Sequence, residues 1–410
     1  MKVFRIGAVV AAAAVLVAGL NFSAGLFQKR VFRGKIAKAG LSALLERRAG
    51  LPAIGASRYE TIAREKDTVQ VEYTIDPHLQ KIIEEAYRRA GVMYGAFVAI
   101  EPQTGKVLAM VSHGKRGANL ALRSTFPAAS IFKIVTAAAA IEAGKLTHNS
   151  LIPVLGSDHT LYKRNLFSAG GIDPERIPRY ARLITFQDAM AKSVNSVFGK
   201  VGIFGIGSEG IRKSAARFAF NRDIPFELPV GASRAEIPND LYGVAESASG
   251  FTKLNTMSPL HGAMLAAAVV NDGVIMEPAV VERVARDDGD ALYSFEPTAL
   301  TAATNRKTAE ELRIMLGRTI TNGTSRGSFR GATRAPALSG VFIGGKTGTL
   351  NGWDPPGRYD WFVGFAENGG SKLAVAALCV HGARRGMKAS KVARKAFESY
   401  FRNLIALNGR

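Results

Sequence analysis

The chain carries one cysteine, Cys379, which excludes an internal disulfide and a cysteine-ligated metal site. It lies in the apolar run KLAVAALCV, where a small core residue is the expectation. Acidic residues are scarce as well: 33 Asp and Glu stand against 54 Lys and Arg, a formal charge of +21. That excess suits a nucleic acid, an anionic membrane surface or an acidic polymer as neighbour. The nucleic-acid marks are missing, since there is no zinc-finger spacing, no RNP-like aromatic pattern and no unbroken basic run, so no nucleic-acid partner is expected. His113, His148, His159, His261 and His381 fall at no ligand spacing and read as loop or core residues, so neither metal nor cofactor is expected. A phosphate-binding glycine loop is lacking too; GIFGIGSEG reads as a helix-ending turn.

What is present is core-forming material, 47% of 410 residues, enough for one large domain or two smaller ones. Ile6 to Phe27 is uncharged between basic flanks, and at 1.5 Å per residue it reaches roughly 33 Å, enough for a bilayer. Residues 1–28 therefore read as a membrane anchor. A cleaved signal peptide is the rival, with Ser23-Ala24-Gly25 as its small-residue site. Lys29, Arg30, Arg33, Lys35 and Lys38 outnumber Lys2 and Arg5, which by the positive-inside rule favours a cytoplasmic remainder. Residues 29–68 read as a basic juxtamembrane linker, broken by Gly34, Gly40, Gly50, Pro52 and Gly55, with a short amphipathic helix around ALLERRAG.

Residues 69–410 read as one domain. Asp76 as cap and Pro77 at the first helical position, followed by Leu79, Ile82, Ile83, Ala86 and Ala90, predict a helix ending at Gly91. YGAFVAIEPQTGKVLAMVS reads as a β-hairpin around Pro-Gln-Thr-Gly. From Phe126 to Asp272 the pattern is mostly helical, with loops at Gly170-Gly171 and from Pro225 to Pro238. Strand signals return in GVFIGGKTGTL, YDWFVGFAE and SKLAVAALCVHG. A last amphipathic helix follows with Val392, Phe397, Tyr400, Phe401, Leu404 and Ile405 at core spacing. The expected class is α+β: an antiparallel sheet flanked by N- and C-terminal helices, with an all-helical lobe inserted between strands.

Three short motifs carry chemistry. Ser130 and Lys133 stand three residues apart at the start of an alanine-rich helix, one turn and one face. A serine hydroxyl needs a base, and a lysine serves only if burial lowers its pKa. Ser112 to Lys115 repeats the spacing without a helix to align it and reads as chance. Ser193 and Asn195 alternate in AKSVNSVFG, offering a proton relay and an amide contact. Lys346, Thr347, Gly348 and Thr349 lie on a strand, where a cation and two hydroxyls suit a carboxylate and the glycine admits a close backbone.

In this order the motifs resemble those of the penicillin-binding proteins, whose S-x-x-K, S-x-N and K-[ST]-G boxes match Ser130–Lys133, Ser193–Asn195 and Lys346–Gly348. TIDPHLQ, SPLHGAMLAAAVVNDG and DWFVGFA are similar to the family's flanking segments, so the resemblance runs from about Thr74 to Glu367. It implies a five-stranded sheet and a D,D-transpeptidase that acylates itself on D-Ala-D-Ala stem peptides of peptidoglycan and on β-lactams. It further implies Ser130 as nucleophile, Lys133 as base, Ser193 as proton shuttle, Asn195 as substrate contact, and Lys346, Thr347 and Thr349 as carboxylate binders. The backbone N–H groups of Ser130 and Thr349 would form the oxyanion hole. The implied place is the inner membrane, single-pass, with the domain on the periplasmic side, against the charge count, and a glycosyltransferase is an implied partner. Water as acceptor would make the reaction a D,D-carboxypeptidase. A serine β-lactamase shares the boxes, although Phe251 stands where an E-x-x-L-N glutamate would precede Leu254-Asn255. A non-catalytic scaffold or β-lactam sensor is the alternative outside enzymes.

Overall fold

The structure, a computed structural model, describes residues 35–46, 57–64, 67–114, 119–167 and 170–408. The apolar segment Ile6 to Phe27, and Lys115 of the second Ser-x-x-Lys match, lie outside the described residues.

Helix α1 (Lys38–Leu45) begins earlier than ALLERRAG suggested, because Leu41, Leu44 and Leu45 make its buried face at i, i+3 and i+4. Lys38 Nζ bonds Glu277 Oε2 at 3.1 Å and the Pro278 carbonyl at 2.9 Å, and Ser42 Oγ donates to the Glu227 carbonyl at 3.0 Å. Strands β1 (Tyr59–Arg64) and β2 (Asp67–Tyr73) follow as an antiparallel hairpin. Ile36, Leu41, Leu44, Leu45 and Ile62, all in the stretch expected to be a linker, belong to the main core.

Asp76 caps α2 (Pro77–Arg88) as its position predicts, accepting from the N–H groups of His78 and Leu79 at 2.9 and 3.1 Å. The hairpin β3 (Tyr94–Ile100) and β4 (Val107–His113) comes next. A 3₁₀ turn, Ala129–Phe132, leads into α3 (Lys133–Glu142), buried continuously from Lys133 to Ala140. The lobe continues with α4 (Phe186–Lys192), α5 (Asn195–Lys200), a π-helical turn Val201–Ile206 and the helix Gly207–Arg217. Within GIFGIGSEG one helical run ends at Gly207, whose φ of 70° marks the break, and the next helix begins there. Then come α6 (Leu241–Ser249) and α7 (Pro259–Val270), capped by Ser258 Oγ accepting from His261 N–H. Helix α7 is apolar all round and buried all round.

Apart from short strands and turns, the chain continues with β5 (Val281–Arg286), β6 (Ala291–Ser294), α8 (Arg306–Asn322), β7 (Phe342–Trp353), β8 (Pro356–Asn368), β9 (Ser371–His381) and α9 (Ala389–Asn408). Five strands form one antiparallel sheet in the order β7-β8-β9-β3-β4. Helices α2 and α9 cover one face through a core that includes Ile83, Cys379, Phe397 and Phe401. Ile405 of α9 is 56% exposed, so the core spacing ends before it. Helix α7 covers the other face: a Cβ on Gly262 would lie 3.1 Å from Ala376 Cβ and 3.2 Å from Val363 Cγ2. The architecture is α+β with the five-stranded sheet and an inserted helical lobe. A second sheet, β1-β2-β5-β6, was not foreseen, because the mixed charges of YETIAR and VERVAR conceal the alternation of its strands.

The two edges of the large sheet differ. At β4 the Gln80 side chain accepts from Met110 N–H at 2.9 Å and donates to the Met110 carbonyl at 3.0 Å, while Asp76 N–H donates to Leu108 O. Strand β7 has no sheet neighbour on its outer side among the described residues.

Candidate active site

The 3₁₀ turn that presents Ser130 is held from three directions. Trp361 Nε1 on β8 donates to the Pro127 carbonyl at 3.0 Å, and Ala128 N–H donates to Asn255 O at 2.8 Å. Gly250, at the end of α6, approaches so closely that a Cβ there would lie 1.9 Å from the Ala129 carbonyl oxygen. On the third side β7 passes over the turn, and a Cβ on Gly348 would stand 3.2 Å from Ile131 and 3.3 Å from Ala129. Ala129 itself has φ of 49°, a left-handed conformation that costs a non-glycine residue about 1 kcal/mol and persists because its surroundings fix it. Ser130 is the second residue of the turn, where a backbone N–H has no partner within the helix.

Lys133, one turn on, is wholly buried. Its Nζ lies 2.8 Å from Ser130 Oγ, 2.8 Å from Asn195 Oδ1 and 2.5 Å from the Ser249 carbonyl oxygen. Burial, assisted by the charge of Lys346, pushes its pKa well below the usual lysine range. The partners decide what a neutral amine does here. Two are carbonyl oxygens that can only accept, so they take the two N–H groups, and the lone pair is left for the Ser130 hydroxyl.

Ser193 ends α4 in a left-handed conformation, φ 59° and ψ 44°, and Asn195 starts α5. The break turns both side chains into the cleft, which an unbroken helix would not do for residues two apart. Asn195 Nδ2 donates to the His159 carbonyl at 2.8 Å, which aims its oxygen at Lys133. Lys346 on β7 is also wholly buried, with Nζ 2.8 Å from Ser193 Oγ and 2.9 Å from the Thr347 carbonyl, and burial lowers its pKa to about 7. Thr347 Oγ1 lies 2.5 Å from Thr324 Oγ1 in the loop after α8.

All eight residues singled out by the three motifs therefore converge. Ser130, Ser193, Asn195, Thr347 and Thr349 line a cleft of about 660 Å³ between the sheet and the lobe, Lys133 and Lys346 underlie it, and Gly348 admits the Ser130 turn. Ser112 Oγ, by contrast, accepts from Ala121 N–H at 3.0 Å on β4, away from the cleft. Sequence reading missed Thr324, the Ser249 carbonyl and the His159 carbonyl, since a backbone acceptor leaves no mark in a side-chain pattern. It also missed the cations Arg358, Arg385 and Lys388 at the far end of the cleft. Of the histidines, His261 is a core residue whose Nε2 lies 2.6 Å from Phe218 O, and burial lowers its pKa to about 4. His159 and His381 line the cleft. Among the described residues no three His, Cys, Asp or Glu side chains converge as metal ligands.

A family model for the penicillin binding protein transpeptidase domain matches residues 95–402. The peptidoglycan D,D-transpeptidase PbpA of Mycolicibacterium smegmatis is 28% identical over 353 residues, covering 77% of this chain and 68% of that protein. The crystal structure of PBPA from Mycobacterium tuberculosis superposes with a TM-score of 0.66 at 25% identity, covering 80% of this chain and 81% of that one. The penicillin G acyl-enzyme complex of penicillin-binding protein A from M. tuberculosis gives 0.63 at 25% identity, with 80% of each chain covered.

Proposed function

The chain belongs to the penicillin-binding protein transpeptidase family, and from that premise we propose a peptidoglycan D,D-transpeptidase whose nucleophile is Ser130. The observation that carries the assignment is Lys133 Nζ, wholly buried and 2.8 Å from Ser130 Oγ, with both N–H directions taken by carbonyl oxygens.

Ser130 Oγ attacks the carbonyl between the last two D-alanines of a stem peptide while Lys133 accepts its proton. The oxyanion is received by the backbone N–H groups of Ser130 and Thr349, and Lys346, Thr347 and Thr349 hold the terminal carboxylate. Collapse breaks the C–N bond. The leaving D-alanine nitrogen receives a proton through Ser193, which Lys346 and the break after α4 hold in position. An amine of a second stem then attacks the acyl-enzyme, gives up its proton and frees Ser130. A β-lactam follows the first half of this course, its ring amide opening onto Ser130.

We further propose that the domain works on the outer face of the inner membrane, anchored by residues 1–28, with a glycosyltransferase as partner. The support is the apolar run Ile6 to Phe27 and the site of cross-linking chemistry; among the described residues no helix is long and apolar enough to cross a membrane. A C-terminal reporter active only in the cytoplasm would overturn this placement.

The assignment is tested with a fluorescent penicillin on the wild type, Ser130→Ala and Ser112→Ala. A long-lived adduct lost only in Ser130→Ala is expected, and D-alanine release from a donor stem in the presence of an acceptor amine completes the test. Rapid hydrolysis of the adduct would instead indicate a β-lactamase, and water as acceptor a carboxypeptidase.

A further inference from the structure

The cleft does not end where Lys346, Thr347 and Thr349 would hold the terminal carboxylate. It continues along β7 past Thr349 to Asn351, whose register partner on β8 is Arg358, and on to Arg385 and Lys388 in the connection to α9. Arg358, Arg385 and Lys388 are exposed, and among the described residues none of their three side chains has a hydrogen-bond or ion-pair partner. The cleft's one lining acid is Asp360. Its carboxylate is already engaged, accepting from Ala389 N–H at 3.2 Å and lying 3.7 Å from His381 Nε2. Three other arginines of this surface do have acidic partners: Arg123 pairs with Asp354, Arg182 with Asp158 and Arg318 with Asp188. Three unpaired cations lining one end of a catalytic cleft leave a local positive field with nothing on the protein to answer it.

We infer that Arg358, Arg385 and Lys388 form an anion subsite for a carboxylate carried by the acyl part of the donor peptide, a second one beyond the terminal carboxylate of D-alanine. The inference rests on the transpeptidase reading of the same cleft. In that reading the leaving residue lies toward Lys346 and Thr347, so the acyl part runs the other way from the Ser130 carbonyl position, along Thr349 to Asn351. Asn351 lies four residue steps along the strand from Thr347, roughly 13 Å, the reach of a few extended peptide residues upstream of the scissile bond. Long, flexible cationic side chains at that distance suit a carboxylate on a side chain near the D-Ala pair better than an uncharged amide.

The test uses two donor peptides ending in D-Ala-D-Ala, alike except that the preceding side chain ends in a carboxylate or in the matching carboxamide. D-Alanine release in the first turnover is followed with no acceptor amine present, so that an acceptor's carboxylate cannot contribute. The wild type is expected to be acylated about tenfold faster by the carboxylate donor at low salt, with the preference shrinking as ionic strength rises. In the doubly substituted Arg385→Glu, Lys388→Glu protein the preference is expected to vanish or invert; the carboxamide donor is the internal reference and a thermal melt checks folding. Equal rates in the wild type, or a preference untouched by the double substitution, would overturn the subsite. Benzylpenicillin separates the two levels. If it acylates Ser130 while the peptides show no preference, only the subsite falls, and if it fails too, the transpeptidase reading falls and takes the subsite with it.

Discussion

Lys133 and Lys346 are two wholly buried lysines at one site, and the charge on Lys346 adds to burial in holding the Lys133 amine below the lysine range. Burial lowers Lys346 itself to about 7. The proposed chemistry needs the amine beside Ser130 free and the one beside Ser193 charged. Acylation by a carboxylate-bearing donor should therefore rise with pH as Lys133 deprotonates and fall with a midpoint near 7 in kcat/KM. The falling limb moves upward in kcat, because a bound carboxylate favours the charged lysine. Stopped-flow acylation across pH 4 to 10 reads both limbs, and a profile that rises without a falling limb would refute the role given to Lys346.

The same lysine sets a stability trend. Its folded pKa of about 7 lies below the ordinary 10.5, so between these values the unfolded chain binds the proton and the folded one does not, and stability rises with pH across that window. Below about 7 both states are protonated and the burial cost is fully felt. Lys346→Met should thus be more stable than the wild type at pH 6, by about 2 kcal/mol after the lost bonds to Ser193 and Thr347 are allowed for, with the gap closing toward pH 10. Urea unfolding of both proteins at the two pH values measures it.

Ser193 combines a role with strain. Ser193→Gly should relax the left-handed φ of 59° and stabilise the fold by about 1 kcal/mol, whereas Ser193→Ala should not, and both should slow acylation by removing the proposed relay. Equal stability of the two variants in chemical denaturation would contradict the strain argument.

Gly250→Ala is expected to cost more than a surface change of the same size. Its φ of 65° disfavours a side chain, and the added Cβ would sit 1.9 Å from the Ala129 carbonyl, displacing the turn that carries Ser130. A loss of about 2 kcal/mol or more and a parallel fall in penicillin acylation are predicted.

Leu45→Ala removes a fully buried side chain of α1 and should cost about 2–4 kcal/mol. Were residues 36–45 a detached linker, the same change would leave the unfolding midpoint where it was.

The parts of this structure that were readable in advance share a reason. Asp76-Pro77, Ser258-Pro259 and the alternation in β7 to β9 are local signals, cap chemistry and apolar period within a few residues, and each element lies where those signals put it. The three boxes were legible because their residue types are chemically complementary. What stayed hidden is non-local. The sheet β1-β2-β5-β6 joins residues some 200 positions apart, and no window of sequence shows that YETIAR has a partner. Helix α1 is decided by what it packs on, Glu227 and Pro278, and not by its own propensity. Within the site, the acceptors that orient Lys133 and Asn195 are main-chain carbonyls of Ser249 and His159, and any residue type would supply them.

The unequal edges of the large sheet have a consequence for how the molecule meets other chains. Gln80 seals β4 as a paired strand would, so the sheet can be extended in one direction only, at β7. An open edge twelve residues long is ordinarily an invitation to unwanted strand pairing between molecules. Here the invitation is narrow. The edge borders a cleft instead of standing proud, Lys346 points inward from it, and its end is flanked by Trp353, over whose ring Lys253 Nζ sits at 4.1 Å. A single extended chain can reach such an edge, while the rim of another folded sheet is too thick to enter. The same geometry that leaves this edge open to a thin chain narrows what else can pair with it.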